Sequence, residues 1–179
     1  MAGKIVLLIA LAVISGCGRS VLEQKTGVLN RDLPDEISSR VSVIAYKGDT
    51  LDYVLTADKI ERFYNKRQLN AWKVKLVTYD VKQKIRSTML ADTTWVDEAR
   101  NFIVARGNVV LNSPNGQIKT SIINWDRNID QLNAPEQVEL TRDGNILRGQ
   151  NLRTDATISY AEMDAVSAEG VIKREDIDW

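Results

Sequence analysis

The chain predicts an all-β fold, on three observations. From Val41 onward the apolar residues fall in short, half-alternating segments rich in β-branched and aromatic side chains, as expected of strands that bury one face. Turn chemistry separates these segments about every 8 to 12 residues. Sustained helical periodicity is nearly absent. The best helical alternative, Ser159 to Ala168, has Ala, Glu and Met in favourable numbers but sits where the strand pattern is due.

Taken in order, Ser42 to Tyr46 and Leu51 to Ala57 are strand candidates reversed by Tyr46-Lys47-Gly48-Asp49. Lys59 to Tyr64 ends at the polar Asn65-Lys66-Arg67, after which Leu69 to Tyr79 carries the alternation Trp72, Val74, Leu76. Gln83 to Ala91, Thr93 to Asp97, Asn101 to Ala105 and Asn108 to Leu111 follow. Asn115-Gly116 tolerates positive φ and so can turn the chain into Gln117 to Asp126. Gln131 to Leu132 and Val138 to Arg142 precede a second such turn, Asp143-Gly144, and Ile146 to Asn151, Thr157 to Tyr160 and Gly170 to Lys173 complete the series. Gly107, Gly116, Gly144 and Gly149 read as turn and bulge residues, because no helix follows them to make a phosphate loop.

The amino-terminal residues have a different character. Lys4, an apolar run from Ile5, and small residues before Cys17 make a bacterial secretory signal over residues 1–16. The run is shorter than the roughly 20 apolar residues that span a bilayer, which disfavours the alternative of a retained transmembrane segment. Ile14-Ser15-Gly16-Cys17 resembles a lipobox, which implies a diacylglyceryl group on the Cys17 thiol and an acylated Cys17 amino group; a stray cysteine beside an ordinary cleavage site is the alternative. Residues 17–40 have few large apolar side chains and a break at Leu33-Pro34-Asp35, and read as a tether. At about 3.3 Å per residue, some 20 residues would hold the β-domain, residues 41–179, up to roughly 65 Å from a membrane.

Composition narrows the function classes. The 179 residues carry 24 basic and 24 acidic side chains, so there is no whole-chain basic field for nucleic acid. Cys17 is the sole cysteine, and an intramolecular disulfide cannot form. With no histidine, neither a Ser-His-Asp device nor a His/Cys zinc site can be built. Asp92, Asp97 and Glu98, or Glu136 and Glu139, are carboxylates of the kind a glycosidase pairs, but a chain with this many acids produces such pairs by chance. No catalytic residue, metal or cofactor is expected. Lys73, Lys75, Lys82, Lys84 and Arg86 read as basic edge residues that discourage sheet aggregation, with contact to lipid phosphates as the alternative.

A loose repeat underlies the strands. Val74, Val109, Val138 and Val171 each follow a small residue by three or four positions and open an apolar alternation, at spacings of 35, 29 and 33 residues. Such a period suggests one supersecondary unit stacked on the next.

The run Ala105-Arg106-Gly107-Asn108-Val109-Val110-Leu111, followed by Gly116, Thr120, Trp125-Asp126, Val138-Glu139-Leu140 and Gly144-Asn145-Ile146-Leu147-Arg148-Gly149, resembles the LptC family of lipopolysaccharide-export proteins, related to LptA and the periplasmic domain of LptD. Tyr46 to Ala57 is similar to the family's opening strands, and the likeness spans about Val41 to Lys173. The resemblance implies an open, twisted antiparallel β-jellyroll, here with about 14 to 16 short strands, that shelters acyl chains and joins end to end with similar jellyrolls. It implies lipopolysaccharide as the cargo, an inner-membrane ABC permease complex of the LptB/LptF/LptG kind as donor, and a periplasmic LptA-like jellyroll as acceptor. The alternative is an envelope lipoprotein that scaffolds such an assembly without binding lipid. The lipobox departs from the transmembrane helix of well-known members. The family role places the anchor in the inner membrane, whereas Gly18 in place of an aspartate points to the outer one.

On this reading the inward, lipid-facing residues are Trp72, Val74, Leu76, Phe102, Val104, Ile123, Trp125, Val138, Leu140 and Ile146, with Asn124 outward. Closed core is their alternative use, since both demand apolar residues at period two. The carboxy-terminal edge at Val171 and Ile172 is the expected partner surface.

Overall fold

A computed structural model describes residues 33–169. Within them lie nine strands: β1 (Glu36–Lys47), β2 (Thr50–Phe63), β3 (Gln68–Tyr79), β4 (Ile85–Asp97), β5 (Phe102–Ser113), β6 (Gly116–Asp126), β7 (Gln131–Arg142), β8 (Asn145–Thr154) and β9 (Glu162–Glu169). They form one antiparallel sheet in sequential order, each strand pairing with its neighbours in the chain. Four of the eight connections, after β1, β2, β5 and β7, fall at the turn residues that the sequence singles out, although in the third Ser113 pairs with Gly116, so that Pro114 and Asn115 make the turn and Gly116 opens β6. At Asp143 and Gly144 both φ values are positive, 52° and 80°, as a two-residue turn between right-twisted strands requires.

The expectation of 14 to 16 short strands is corrected. Leu51 to Ala57 and Lys59 to Tyr64 join into β2, and the same happens in β4, β5 and β7. The gaps between those segments are bends within strands, where side-chain alternation changes phase while pairing continues on both sides. In β3 the core takes Leu69 and Ala71, then Val74 and Leu76. In β2 it takes Leu55 and Ala57, then Ile60. Left-handed residues mark the change: Arg40 in β1, Lys73 in β3, Gly107 and Asn108 in β5, Asn151 in β8 and Ala165 in β9. Register shifts interrupt the ladders at Leu90/Thr93, Arg106/Val109, Thr120/Asn124 and Ala134/Gln137. Pro135, which has no backbone donor, sits inside the last of these gaps.

These bends align into a polar seam across the sheet. Lys73 Nζ donates to Asp92 Oδ1 at 2.8 Å and Asn108 Nδ2 to Asp92 Oδ2 at 2.6 Å. Ser121 Oγ bonds Glu136, and Asn151 Nδ2 donates to Asp164 Oδ2 at 3.0 Å. At the seam the sheet folds over on itself. Ile118 and Val109 are 0 % exposed although no second sheet or helix lies among the described residues, so the cover comes from the other arm of the same sheet together with the loop between β8 and β9.

Gly107 marks a close approach of β5 to β4 at the seam. A Cβ there would lie 2.7 Å from Asp92 Oδ2 and 2.9 Å from Asp92 Cβ, at a φ of +74°. Lys73 and Asn108 hold that carboxylate in place, so it cannot swing clear. Gly107→Ala should therefore lower stability by about 1–3 kcal/mol. Urea unfolding of the full chain reads this directly, and an unchanged midpoint would mean that the seam has slack.

Two further expectations change. Glu36 to Arg40, within the stretch read as tether, belong to β1; this edge strand has no fully buried residue and hence little apolar signal. Thr157 to Tyr160 is a loop, and the helical alternative over Ser159 to Ala168 gives way to β9. Residues 1–16, Cys17, most of the tether, and Val171 and Ile172 lie outside the described residues.

Candidate functional site

The two arms of the folded sheet pack unevenly along its length. The most deeply buried large side chains, among them Leu111, Ile118, Ile123, Leu140 and Leu152, all come from β5 onward. Toward β1 the arms part around a cavity of about 400 Å³. Its floor is apolar, made by Leu55 and Ile60 of β2, Leu69 and Leu76 of β3, Val96 of β4 and Ile103 of β5. Its mouth is cationic. Arg62, Arg67 and Arg127 line it with Glu98 and Asn101. An adjoining cavity of about 390 Å³ shares Thr78, Asn101 and Arg127 and adds Lys47, Asp52, Arg86, Trp125 and Asp130.

Ion pairs cross this mouth between strands that are not neighbours in the sheet. Arg127, in the turn after β6, donates to Asp52 Oδ2 of β2 at 3.1 Å, and Arg86 of β4 pairs with Asp130. Trp125 Nε1 donates to Asp130 Oδ1 at 3.2 Å. Arg62 meets Glu98 at 3.3 Å. Asp97, buried beside it, accepts the Ala99 and Arg100 amides at 3.0 Å each and so fixes the turn that presents Glu98. The polar pair under the mouth, Thr78 and Ser87, satisfies itself through a 2.7 Å hydroxyl–hydroxyl bond.

An apolar groove between sheet arms with a cationic rim can shelter acyl chains and hold an anionic head. The model of the family "Lipopolysaccharide-assembly, LptC-related" matches residues 5–164. The chain belongs to the LptC-related family. Its members serve lipopolysaccharide transport in the periplasmic envelope, and the chain has a role in that transport. Among solved structures it is similar to LptH of Pseudomonas aeruginosa, described as the LptA-homologous periplasmic component of the lipopolysaccharide transport device. The TM-score is 0.54 at 14% identity, over 68% of this chain and 94% of that one, a likeness of fold. The search of curated proteins returned no match.

The LptC-related sheet places the sequence-predicted inward residues in three groups. Val74, Leu76, Ile123, Trp125, Val138 and Leu140 are buried on the inner face. Leu76 lines the larger cavity and Trp125 the smaller one; the other four pack into the core. Trp72, Phe102 and Ile146 are corrected: each is half-buried and one residue out of phase, and Ala71, Ile103 and Leu147 take the inward positions. For Trp72 the reason is the left-handed Lys73, which inverts the alternation and leaves the indole outside with Lys59 Nζ 4.8 Å over its ring. Val104 is buried but faces the other way, opposite Trp95 and Asn124.

Tyr53, Leu55, Ile60, Val96 and the mouth arginines were missed. The apolar ones carried a strand signal without a facing signal. The arginines, next to turns and far apart in the chain, carried none.

The acidic residues have structural duties. Asp92 ties the seam, Asp97 caps a turn, Glu98 pairs with Arg62, and Glu139 with Lys119 and Arg148. Among the described residues no group of three or more His, Cys, Asp or Glu side chains could hold a metal ion.

At the other end, the loop between β8 and β9 seals the cleft. Ala156 and Ile158 are buried in the core, and Thr157 O accepts from Ser113 Oγ at 2.7 Å and Asn115 Nδ2 at 3.0 Å. Asp155 gathers the loop: its Oδ1 accepts the Thr157 and Ser159 amides at 2.9 and 3.0 Å. Burial raises the Asp155 pKa, but the bonds from Ser159 and Thr157 outweigh it and hold the carboxyl below its ordinary value. A lowered folded pKa stabilises the fold fully above the unfolded value, about 3.9, and that contribution is lost as pH falls through the folded value. Asp155→Asn should accordingly flatten the fall in stability on acidification below about pH 5, with urea midpoints from pH 6 to pH 3 as the measurement. Parallel curves for mutant and wild type would refute the assignment.

Proposed function

We propose that this chain carries lipopolysaccharide transiently and without chemistry, receiving it from an inner-membrane ABC permease complex and passing it to an LptA-like periplasmic jellyroll. The observation that carries this reading is the cleft toward β1, apolar within and rimmed by arginines. Exposing a 14-carbon chain to water costs on the order of 10 kcal/mol, so each acyl chain needs shelter at every step. A cleft between two arms of one sheet can open along its lips to admit a lipid from the side.

Val74, Leu76, Ile123, Trp125, Val138 and Leu140 are the proposed inner path, with Leu76 and Trp125 nearest the open part. Cys17 supplies an acyl anchor to the periplasmic face of the membrane, and the edge at Val171 and Ile172 pairs with the acceptor by backbone hydrogen bonds. The alternative, a scaffold that binds no lipid, is favoured by the tight packing from β5 to β8 and disfavoured by the cavity near β1.

Photocrosslinking in cells tests the reading. A photoactivatable residue at Leu76 or Trp125 should label lipopolysaccharide in an ATP-dependent manner and one at Asn124 much less; equal labelling would overturn it. Mass spectrometry of the same preparation should find Cys17 acylated, and a free thiol would remove the anchor.

A further inference from the structure

Arg127 has more partners than any other group at the mouth. Its guanidinium lies 5.0 Å from the Tyr53 ring centroid and 5.7 Å from that of Trp125. It reaches Asp52 Oδ2 at 3.1 Å and Asn101 Oδ1 at 3.5 Å, and it borders both cavities. The two rings hold its plane in position whether or not a carboxylate faces it. Asp52, by contrast, is on the lip of the opposite arm and half-exposed, and such ion pairs contribute little stability. The larger cavity is bordered by three arginines against Glu98, so positive charge remains in excess even when Arg62 is paired.

Resting on the cleft reading above, we propose that Arg127 binds a phosphate on the head of the bound amphiphile, and that Asp52 is the group this phosphate displaces. The exchange couples loading to opening. While Arg127 holds Asp52, β2 is tied to the β6–β7 turn across the mouth. A phosphate offers the guanidinium a fork of oxygens with more charge than the carboxylate, and its capture frees the β2 lip. Arg62 is less suited to this exchange, because its partner Glu98 sits on a turn fixed by Asp97.

The test uses the full chain in a non-ionic detergent and two single-chain probes of equal acyl length, lysophosphatidic acid and monoacylglycerol. Wild type should prefer the phosphorylated probe by about tenfold. Asp52→Asn, which removes the competing charge and unties the β2 lip, should tighten the phosphorylated probe by about threefold and the uncharged one by clearly less. Arg127→Gln should abolish the preference while circular dichroism stays that of a folded sheet, and Arg127→Lys should restore part of it. If both probes bind wild type and Arg127→Gln keeps the preference, the assignment of Arg127 fails and the cleft reading stands. If neither probe binds wild type, the cleft reading fails and the assignment with it. Inorganic phosphate binding with the same dependence on Asp52 and Arg127, and as tightly as the phosphorylated probe, would assign the site to a free anion and overturn the proposal.

Discussion

Val96→Trp should weaken acyl-chain binding by about fifty-fold or more in a protein that still folds. Val96 is half-buried on β4, opposite Leu69 and Ile103, and lines the larger cavity. An indole at this position enters open space between the arms rather than close-packed core, so stability should change by no more than about 1 kcal/mol. Binding should suffer far more. Excluding even three methylenes from shelter costs about 2.4 kcal/mol at 0.8 kcal/mol each, roughly fifty-fold in affinity. Titration of a long-chain fluorescent probe, with urea unfolding as the fold control, gives the answer. A folded mutant with wild-type affinity would mean that acyl chains lie elsewhere.

The largest loss of stability should come from Ile158. Its side chain is 0 % exposed in the loop that seals the far end of the cleft, and its backbone has a φ of 54°, an uncommon conformation for a β-branched residue. Ile158→Ala should cost about 2–5 kcal/mol through the cavity it leaves. Ile158→Gly removes one more carbon, yet glycine adopts positive φ without strain, so it should lose no more than the alanine variant. Urea unfolding of the two variants side by side measures the difference. A glycine variant clearly weaker than alanine would show that side-chain burial alone governs the site. Hydrogen exchange should also quicken in β5 and β8, which the loop covers.

Much of the fold was legible because it is local. Gly116, at a φ of 152°, and Asp143-Gly144 announce hairpins through backbone conformations that few residues tolerate, and the β-branched alternation locates the strands between them. The same alternation identified Val74, Leu76, Ile123, Trp125, Val138 and Leu140 as inward. It misplaced Trp72, Phe102 and Ile146 because the inward phase is not constant along these strands. A bend such as that at Lys73 breaks the alternation as a turn would, but the ladder runs on through it. A one-dimensional pattern cannot tell the two apart, and this is why β2, β4, β5 and β7 each read as two short strands.

The amino-acid sequence by itself determined that the chain is all-β, where it turns, which apolar residues supply most of the interior, and through the order of its motifs the family to which it belongs. Tertiary structure alone decided that the sheet folds along a polar seam, that its arms close tightly from β5 onward and part toward β1, and that Arg127 meets Asp52 across the mouth. Turns and alternation arise from steric limits within a few residues, so they are written in consecutive letters. Arg127, in the turn after β6, and Asp52, in β2, are 75 residues apart on strands that never pair, and only closure of the whole sheet brings them together.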